Sequence, residues 1–395
     1  MKYAIVIPDG AADRPTALLG GRTVFDVARH PHMDRIASEG RLGTVRMVPP
    51  RMAPGSDVAI LSLLGYNPAT SYTGRAPLEA AARGIEIGPD DWVFRCNLVT
   101  VADEEMVDYS AGHITTKEAE VLIEALAKRL GSPALEFHAG VGYRHLVVVR
   151  GEKFKVSTHP PHDIMGRRMK RYLPRGKNAA RLKDLMAASR EIFAEHPINQ
   201  VRRDLGEMAA TQVWLWGEGR QPSLQPFAER WGLRGAAVAA VDLVRGIAKL
   251  IGWDVLEVEG ATGYYDTNYA GKARAAVEAL ADHDLVLVHV EATDEAGHNG
   301  DAREKVRALE AVDREVVGPL LEALAAGGPD WRILVAPDHE TPLDLRTHEA
   351  EPVPFAVMGK DFEGKRVRAM TEADARRAGL HVEMGHTLME YFLKR

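Results

Sequence analysis

Ser56 stands where a hydroxyl can do chemistry. Pro54-Gly55 breaks the chain ahead of it, and Val58 to Leu64 is apolar enough to form a buried helix. A hydroxyl at that helix start sits at the positive end of the helix dipole, beside backbone N–H groups that suit an anion such as phosphate. Taken alone, Ser56 and Asp57 read more readily as ordinary helix caps. The balance shifts because three apolar runs elsewhere end in metal-ligand residues. Tyr3 to Ile7 leads to Asp9, Asp284 to Val290 leads to Asp294 and His298, and Trp331 to Ala336 leads to Asp338 and His339. Asp9-Gly10 alone is a common turn pair. Asp294 and His298, four apart, can face one point from a single turn. Carboxylate oxygens and imidazole nitrogens without a thiolate suit Mn²⁺, Zn²⁺ or a similar divalent ion. A free serine hydroxyl is a poor nucleophile near neutrality, and a cation is one of the few ways to activate it without a neighbouring base. Ser56 is therefore read as a nucleophile that carries a phosphoryl group.

These residues need a scaffold that brings distant positions together. The three runs do not alternate, as expected of parallel strands covered on both faces, and a parallel sheet gathers its carboxyl ends at one edge. Helices are expected over Pro31–Gly40, Val241–Ile251, Tyr269–Ala281 and, as one long element, Ala302–Leu324, with a short strand over Val255–Val258. His348 falls on the loop after the third run. Composition changes between about Leu78 and Glu229, where the pattern predicts strands over Trp92–Val101 and His145–Arg150 and helices over Thr115–Leu130 and Ala179–Ala194. The reading is a main domain of residues 1–76 and 227–395 with a second domain, 77–226, inserted between hinges near Tyr72–Pro77 and Gly219–Pro226. Tyr143 to Lys177 is rich in Arg, Lys and His. It reads equally as a solvated basic face and as a surface that steers an anion. Asp163 stands among those cations as a simple ion-pair partner or a proton carrier.

With 395 residues, 46% hydrophobic and 27% charged, the chain has an ordinary globular composition and length for two or three domains. A formal charge of −6 argues against a general nucleic-acid binder, and Cys96, the single cysteine, excludes a disulfide framework or thiolate cluster. No signal peptide or long apolar span is apparent, so a cytoplasmic protein without a membrane partner is expected. The oligomeric state has no signal in the sequence.

Asp9-Gly10, Pro54-Gly55-Ser56-Asp57, Thr293 to His298, Pro337-Asp338-His339-Glu340 and His348 resemble the cofactor-independent phosphoglycerate mutases of the alkaline phosphatase superfamily, closest to their shorter, archaeal-type branch. Leu63 to Pro68 and Tyr72 to Glu79 extend the resemblance over nearly the whole chain. It implies an α/β fold, an alkaline-phosphatase-like three-layer sandwich with a mostly parallel sheet, plus an inserted smaller α+β domain that closes as a substrate-binding lid. It further implies two divalent ions (Mn, Zn or Co), no 2,3-bisphosphoglycerate and no nucleotide. Asp294, His298 and His348 would hold one ion. Asp9, Ser56, Asp338 and His339 would hold the other, which would keep Ser56 ionised. Ser56 would take the phosphoryl group from 3-phosphoglycerate, and the glycerate would turn and reclaim it on its 2-hydroxyl. Asp163, beside His162, is the candidate for proton handling; His113, Arg144, Arg150, His162 and Arg220 are candidates for holding glycerate. Phe94 to Thr100 and Asp108 to Ile114 also resemble a bacterial homoserine-kinase-like subgroup, although no G-x-x-x-x-G-K-[ST] loop occurs. A phosphopentomutase or a plain phosphatase remains open on the same scaffold. A binding protein on a retired enzyme scaffold would lack a ligand or the nucleophile, and all seven are present.

Overall fold

The structure, a computed structural model, describes residues 1–362, 364 and 369–394. It divides into two compact units, Met1–Tyr72 with Ser223–Arg395, and Thr73–Pro222. The second unit begins at Thr73 rather than residue 77 and ends at Pro222 rather than 226.

The first unit is built on an eight-stranded sheet. Its strands are β1 (Lys2–Pro8), β2 (Arg41–Val45), β3 (Gly235–Val238), β4 (Asp254–Val255), β5 (Leu285–Val290), β6 (Trp331–Val335), β7 (Val353–Gly359) and β8 (His381–Val382). Across the sheet they run β4-β3-β5-β1-β6-β7-β2-β8. β7 is antiparallel to β6 and β2, and the other neighbours pair in parallel. Pro8 lies opposite Val290 and Val6 opposite Val335, so β1, β5 and β6 end together and release Asp9, Asp294 and Asp338 from one edge.

Burial on both faces explains the continuous apolar runs. Ala4 and Val6 of β1 join a core with Phe25, Met33, Ile36, Leu309, Val312 and Leu320. Tyr3, Ile5 and Ile7, which point the other way, are buried as well, and the Tyr3 ring meets Phe392 of the helix Leu388–Leu393 edge-on at 5.6 Å. Helices thus cover both faces, giving three layers.

Two expected elements differ. The strand expected over Val255–Val258 is only Asp254–Val255. The long helix is not uniform: a π-helical turn, Asp313–Val317, joins Ala302–Val312 to Gly318–Ala326. Pro319 is the physical reason. Its ring lacks an N–H and would crowd the carbonyl four residues back, and one wider turn relieves that crowding.

The second unit is α+β. The strand Trp92–Ala102 pairs antiparallel with Arg144–Val149 on one side and Gln212–Gly219 on the other. Thr115 caps the helix Thr116–Leu130 through a capping box with Glu118. That helix and Ala179–Ala194 bury Leu122, Ile123, Leu126, Leu182, Met186 and Phe193 in one core with the sheet.

Candidate metal centre

Helix α1 (Ser56–Leu63) has Gly55 as its N-cap, and no side chain caps it. The helix-cap reading of Ser56 is thereby corrected. Its Oγ instead lies 3.1 Å from His339 Nε2. Asp57, buried one residue on, accepts hydrogen bonds from its neighbour Val58 N at 3.0 Å and from Tyr72 Oη at 2.5 Å.

Helix α2 (Ala292–Asn299) follows β5 directly and carries Asp294 and His298 one turn apart. His298 Nε2 is 3.2 Å from Asp294 Oδ2, and His348 Nε2 is 3.4 Å from Asp294 Oδ1. The two imidazole nitrogens are 2.8 Å apart, and His298 Nδ1 meets the carbonyl of Arg346 at 3.1 Å, which orients the ring. Beside this set, His339 Nε2 lies 3.4 Å from both Asp9 Oδ1 and Asp338 Oδ2. Ligand atoms of Asp294, His339 and His348 fall within 4.8 Å of one another, as do those of Asp9, Asp338 and His339. His339 therefore stands in both groups, whereas the resemblance gave it to one.

The donor set fits divalent cations. Asp9 Oδ1 and Asp338 Oδ2 are buried carboxylate oxygens that receive no hydrogen bond among the described residues, an arrangement that is costly unless a cation faces it. The other Asp338 oxygen accepts from Gly10 N at 3.1 Å and His339 N at 3.0 Å. Burial, and then the charges of Asp338 and Asp294, push the Asp9 carboxyl well above its usual range. Burial would do the same to Asp294, but hydrogen bonds from His298 and His348 outweigh it and hold that carboxyl well below its usual range. Burial also keeps the His339 imidazole below its ordinary value, which favours the neutral, ligating form. The hydrogen bond to Asp294 raises His298 to about 9, so a cation arriving there displaces a proton.

Several contributors were missed in the sequence. His289, fully buried in β5, has Nε2 3.1 Å from Asp9 Oδ2 and Nδ1 3.0 Å from Glu291 Oε1, while Lys272 Nζ is 3.0 Å from Glu291 Oε2. Burial opposes charge on His289, but Glu291 and Asp9 outweigh it and raise the imidazole to about 10. The available signal was one histidine in the otherwise apolar run Leu285 to Val290. Gly10 is more than a turn residue. Its φ is +58°, and a Cβ there would lie 2.4 Å from Asp294 Oδ1.

The expected substrate-binding residues all lie in the second unit. Arg95, missed in the sequence, is the largely buried centre of a cationic group: its guanidinium stacks 4.1 Å from the Trp216 ring centroid and its Nε is 3.1 Å from Glu79 Oε2. Arg75 shares Glu79 at 3.4 Å. Burial, and then the charges of Arg75 and Arg144, hold the Arg95 guanidinium below its usual range against Glu79. His162 also feels Arg95 and Arg75, after burial, and packs edge-on against Trp216 and Tyr109. Asp163 is 65% exposed, with Oδ1 3.7 Å from His162 Nε2. Arg144 lies over Tyr143 and Arg220 over Trp92, and His113 adopts a left-handed backbone with φ 51°. Arg150 is engaged within its own unit. Its guanidinium is taken up by Glu136 at 2.6 and 3.0 Å and by Asp91 at 2.7 Å, which makes it part of the unit's architecture. Arg167, Arg168, Lys170, Arg171 and Arg175 form an exposed, solvated face.

Among the described residues, no helix is long and apolar enough to cross a membrane. A family model described as 2,3-bisphosphoglycerate-independent phosphoglycerate mutase matches residues 37–199. A protein of that name from Methanothrix thermoacetophila is 49% identical over 393 residues, covering all of both chains. A probable one from Geobacter sulfurreducens is 49% identical over 400 residues, again covering both chains in full. Among solved structures, a Pyrococcus horikoshii protein matches with a TM-score of 0.85 and 31% identity, over 100% of this chain and 96% of that one. The cofactor-independent phosphoglycerate mutase of Thermoplasma acidophilum matches with a TM-score of 0.69 and 26% identity, over 100% and 99%. Full-length identity of this order, joined to the shared motifs, shows that the chain belongs to the 2,3-bisphosphoglycerate-independent phosphoglycerate mutases.

Proposed function

We propose that this chain is an isomerase, an intramolecular phosphotransferase that interconverts 3-phosphoglycerate and 2-phosphoglycerate through a phosphoserine at Ser56, as in glycolysis and gluconeogenesis. The observation that carries this reading is the 3.1 Å approach of Ser56 Oγ to His339 Nε2, the nitrogen that lies 3.4 Å from both Asp9 and Asp338. Asp294, His298 and His348 would hold one divalent ion, and Asp9, Ser56, Asp338 and His339 the other, with Mn²⁺, Zn²⁺ or Co²⁺ suited to such ligands. Bound there, the cations supply charge that favours ionisation of the serine hydroxyl and neutralises the phosphoryl oxygens.

The remaining work falls to the chain's own residues. Ser56 Oγ forms a bond to phosphorus as the bond from phosphorus to the substrate's 3-oxygen breaks, and that oxygen takes up a proton. The glycerate then turns, its 2-hydroxyl loses a proton and attacks phosphorus, and the Oγ–P bond breaks. The start of α1 favours the negative charge of the phosphoryl group. Arg75, Arg95 and Arg144 are the cations assigned to the substrate carboxylate, with the His162 imidazole beside them as a neutral hydrogen-bonding partner, and Asp163 is assigned to proton transfer. The second unit is assigned the part of a lid, since phosphoserine exposed to water would hydrolyse and the outcome would be loss of phosphate.

The test is to quench the protein after exposure to 3-phosphoglycerate and locate the phosphate by peptide mass spectrometry, with Ser56→Ala alongside. Phosphate on Ser56, and a variant that keeps most of its Mn²⁺ binding but neither labels nor turns over, is the expected result. Mutase turnover in Ser56→Ala, or phosphate on another residue, would overturn the reading. A parallel assay with homoserine and ATP should give no product.

A further inference from the structure

Thr341 belongs to neither ligand group, yet it is fully buried and touches both. Its Oγ1 donates to Asp294 Oδ1 and lies 3.2 Å from His339 Nδ1. A threonine hydroxyl has one proton, and an ionised carboxylate can only accept. The proton therefore points at Asp294, and the Thr341 oxygen is left to accept from His339 Nδ1–H. This count of donors assigns the His339 tautomer: Nδ1 carries the proton, and Nε2 offers its lone pair toward Asp9, Asp338 and Ser56.

The surroundings hold Thr341 in that position from several sides. Lys305 Nζ donates to the Thr341 carbonyl at 2.7 Å and is itself anchored on Asp13 Oδ2 at 2.9 Å, with both charged side chains buried. Thr341 N donates to the carbonyl of Ala12 at 3.3 Å. Two glycines leave the space it occupies. A Cβ on Gly10 would lie 2.5 Å from Thr341 Oγ1, and one on Gly297 would lie 2.6 Å from the Thr341 carbonyl oxygen and 2.8 Å from its Cγ2.

We propose that Thr341 is a positioning residue for both cation sites at once, its single hydroxyl orienting Asp294 of one group and fixing the His339 tautomer used by the other. The inference rests on the two-cation reading above. Loss of the hydroxyl leaves Asp294 Oδ1 short of a donor and lets the His339 ring place its proton on the ligating nitrogen. Serine keeps both bonds, whereas valine keeps the shape and loses both.

The experiment is calorimetric titration of the full, metal-stripped chain with Mn²⁺ alone, for the natural protein and for Thr341→Ser, Thr341→Val and Thr341→Ala, with thermal midpoints of the metal-free forms. Partners that orient ligands are commonly worth about 10–100-fold in metal affinity. Losses of that size at both sites are expected in Thr341→Val and Thr341→Ala, with Thr341→Ser close to the natural protein. If Thr341→Val does not fold, Thr341→Ala, which only removes atoms, is read on the same scale. Equal affinity in the hydroxyl-free variants overturns the proposal and leaves the two-cation reading standing, and so does a loss at only one site or an equal loss in Thr341→Ser. A natural protein that binds no divalent ion overturns both.

Discussion

Gly10→Ala puts the sharpest demand on the geometry. The new methyl carbon would lie 2.4 Å from Asp294 Oδ1, where ordinary contact begins near 3.4 Å, so the Asp294 side chain must retreat by about 1 Å. It is not free to do so quietly, because His298, His348 and Thr341 all hold it. The backbone adds a second cost, since alanine at φ +58° is strained by about 1–2 kcal/mol, offset in part by about 0.4–1 kcal/mol from a stiffer unfolded chain. Overpacking adds about 1–3 kcal/mol. The net destabilisation is about 1–5 kcal/mol, and the displacement bears directly on a proposed metal ligand. A 1 Å misplacement at a reacting centre costs about 100-fold in rate, so kcat/KM for 3-phosphoglycerate should fall by about two orders of magnitude. Mn²⁺ titration, thermal unfolding of the metal-free protein and a coupled mutase assay measure the three effects. Gly10→Ala with natural Mn²⁺ affinity and turnover would refute this account of how Asp294 is held.

Glu372 gives a pH-dependent test remote from the ligands. It is buried, accepts from Thr23 Oγ1 at 2.7 Å and Asp13 N at 3.1 Å, and burial raises its carboxyl to about 7 despite those bonds. The folded form binds this proton more tightly than the unfolded form, so the contribution is full below about pH 4.5, shrinks as pH rises and is gone above about pH 7. Across that span the change is roughly 3 kcal/mol, and Glu372→Gln should remove it, so the advantage of the variant in thermal midpoint grows toward neutral pH. A pH slope unchanged in Glu372→Gln would contradict this. Lys272→Met should cost about 3–5 kcal/mol, because Glu291, 3.0 Å from Lys272 Nζ, is left as a buried charge with one partner fewer. Adding Glu291→Gln to Lys272→Met should recover much of that loss in thermal melts, and no recovery would show that the pair is not what the lysine serves.

What could be read from the sequence followed from how local the cause was. β1, β5 and β6 were legible because strands buried on both faces must be apolar throughout, and the residues just beyond them inherit the sheet edge. The π turn was hidden although its cause, Gly318-Pro319, stood in plain view inside an apolar helix pattern. β7 and β2 went unread, and β7 carries Pro354 within its own length. The helix cap passed from Ser56 to Gly55 because Ser56 has a partner 283 residues away, which no local pattern shows. Arg150 illustrates the same limit in reverse. Its charge was visible, but Glu136 and Asp91 as its partners were not. His289 and Thr341 each appear in the sequence as one polar letter, and their importance lies wholly in what the fold sets against them.

The place of β1 has a consequence for biosynthesis. It sits mid-sheet between β5 and β6, both made from residues beyond 284. On the ribosome its seven residues emerge roughly 15–55 s before β5, at about 5–20 residues per second. During that wait an oily ribbon with two open edges has nothing to pair with, while Thr73–Pro222, continuous in the chain, is already complete. The topology thus asks for that ribbon to be kept from other nascent chains until its two neighbours are made.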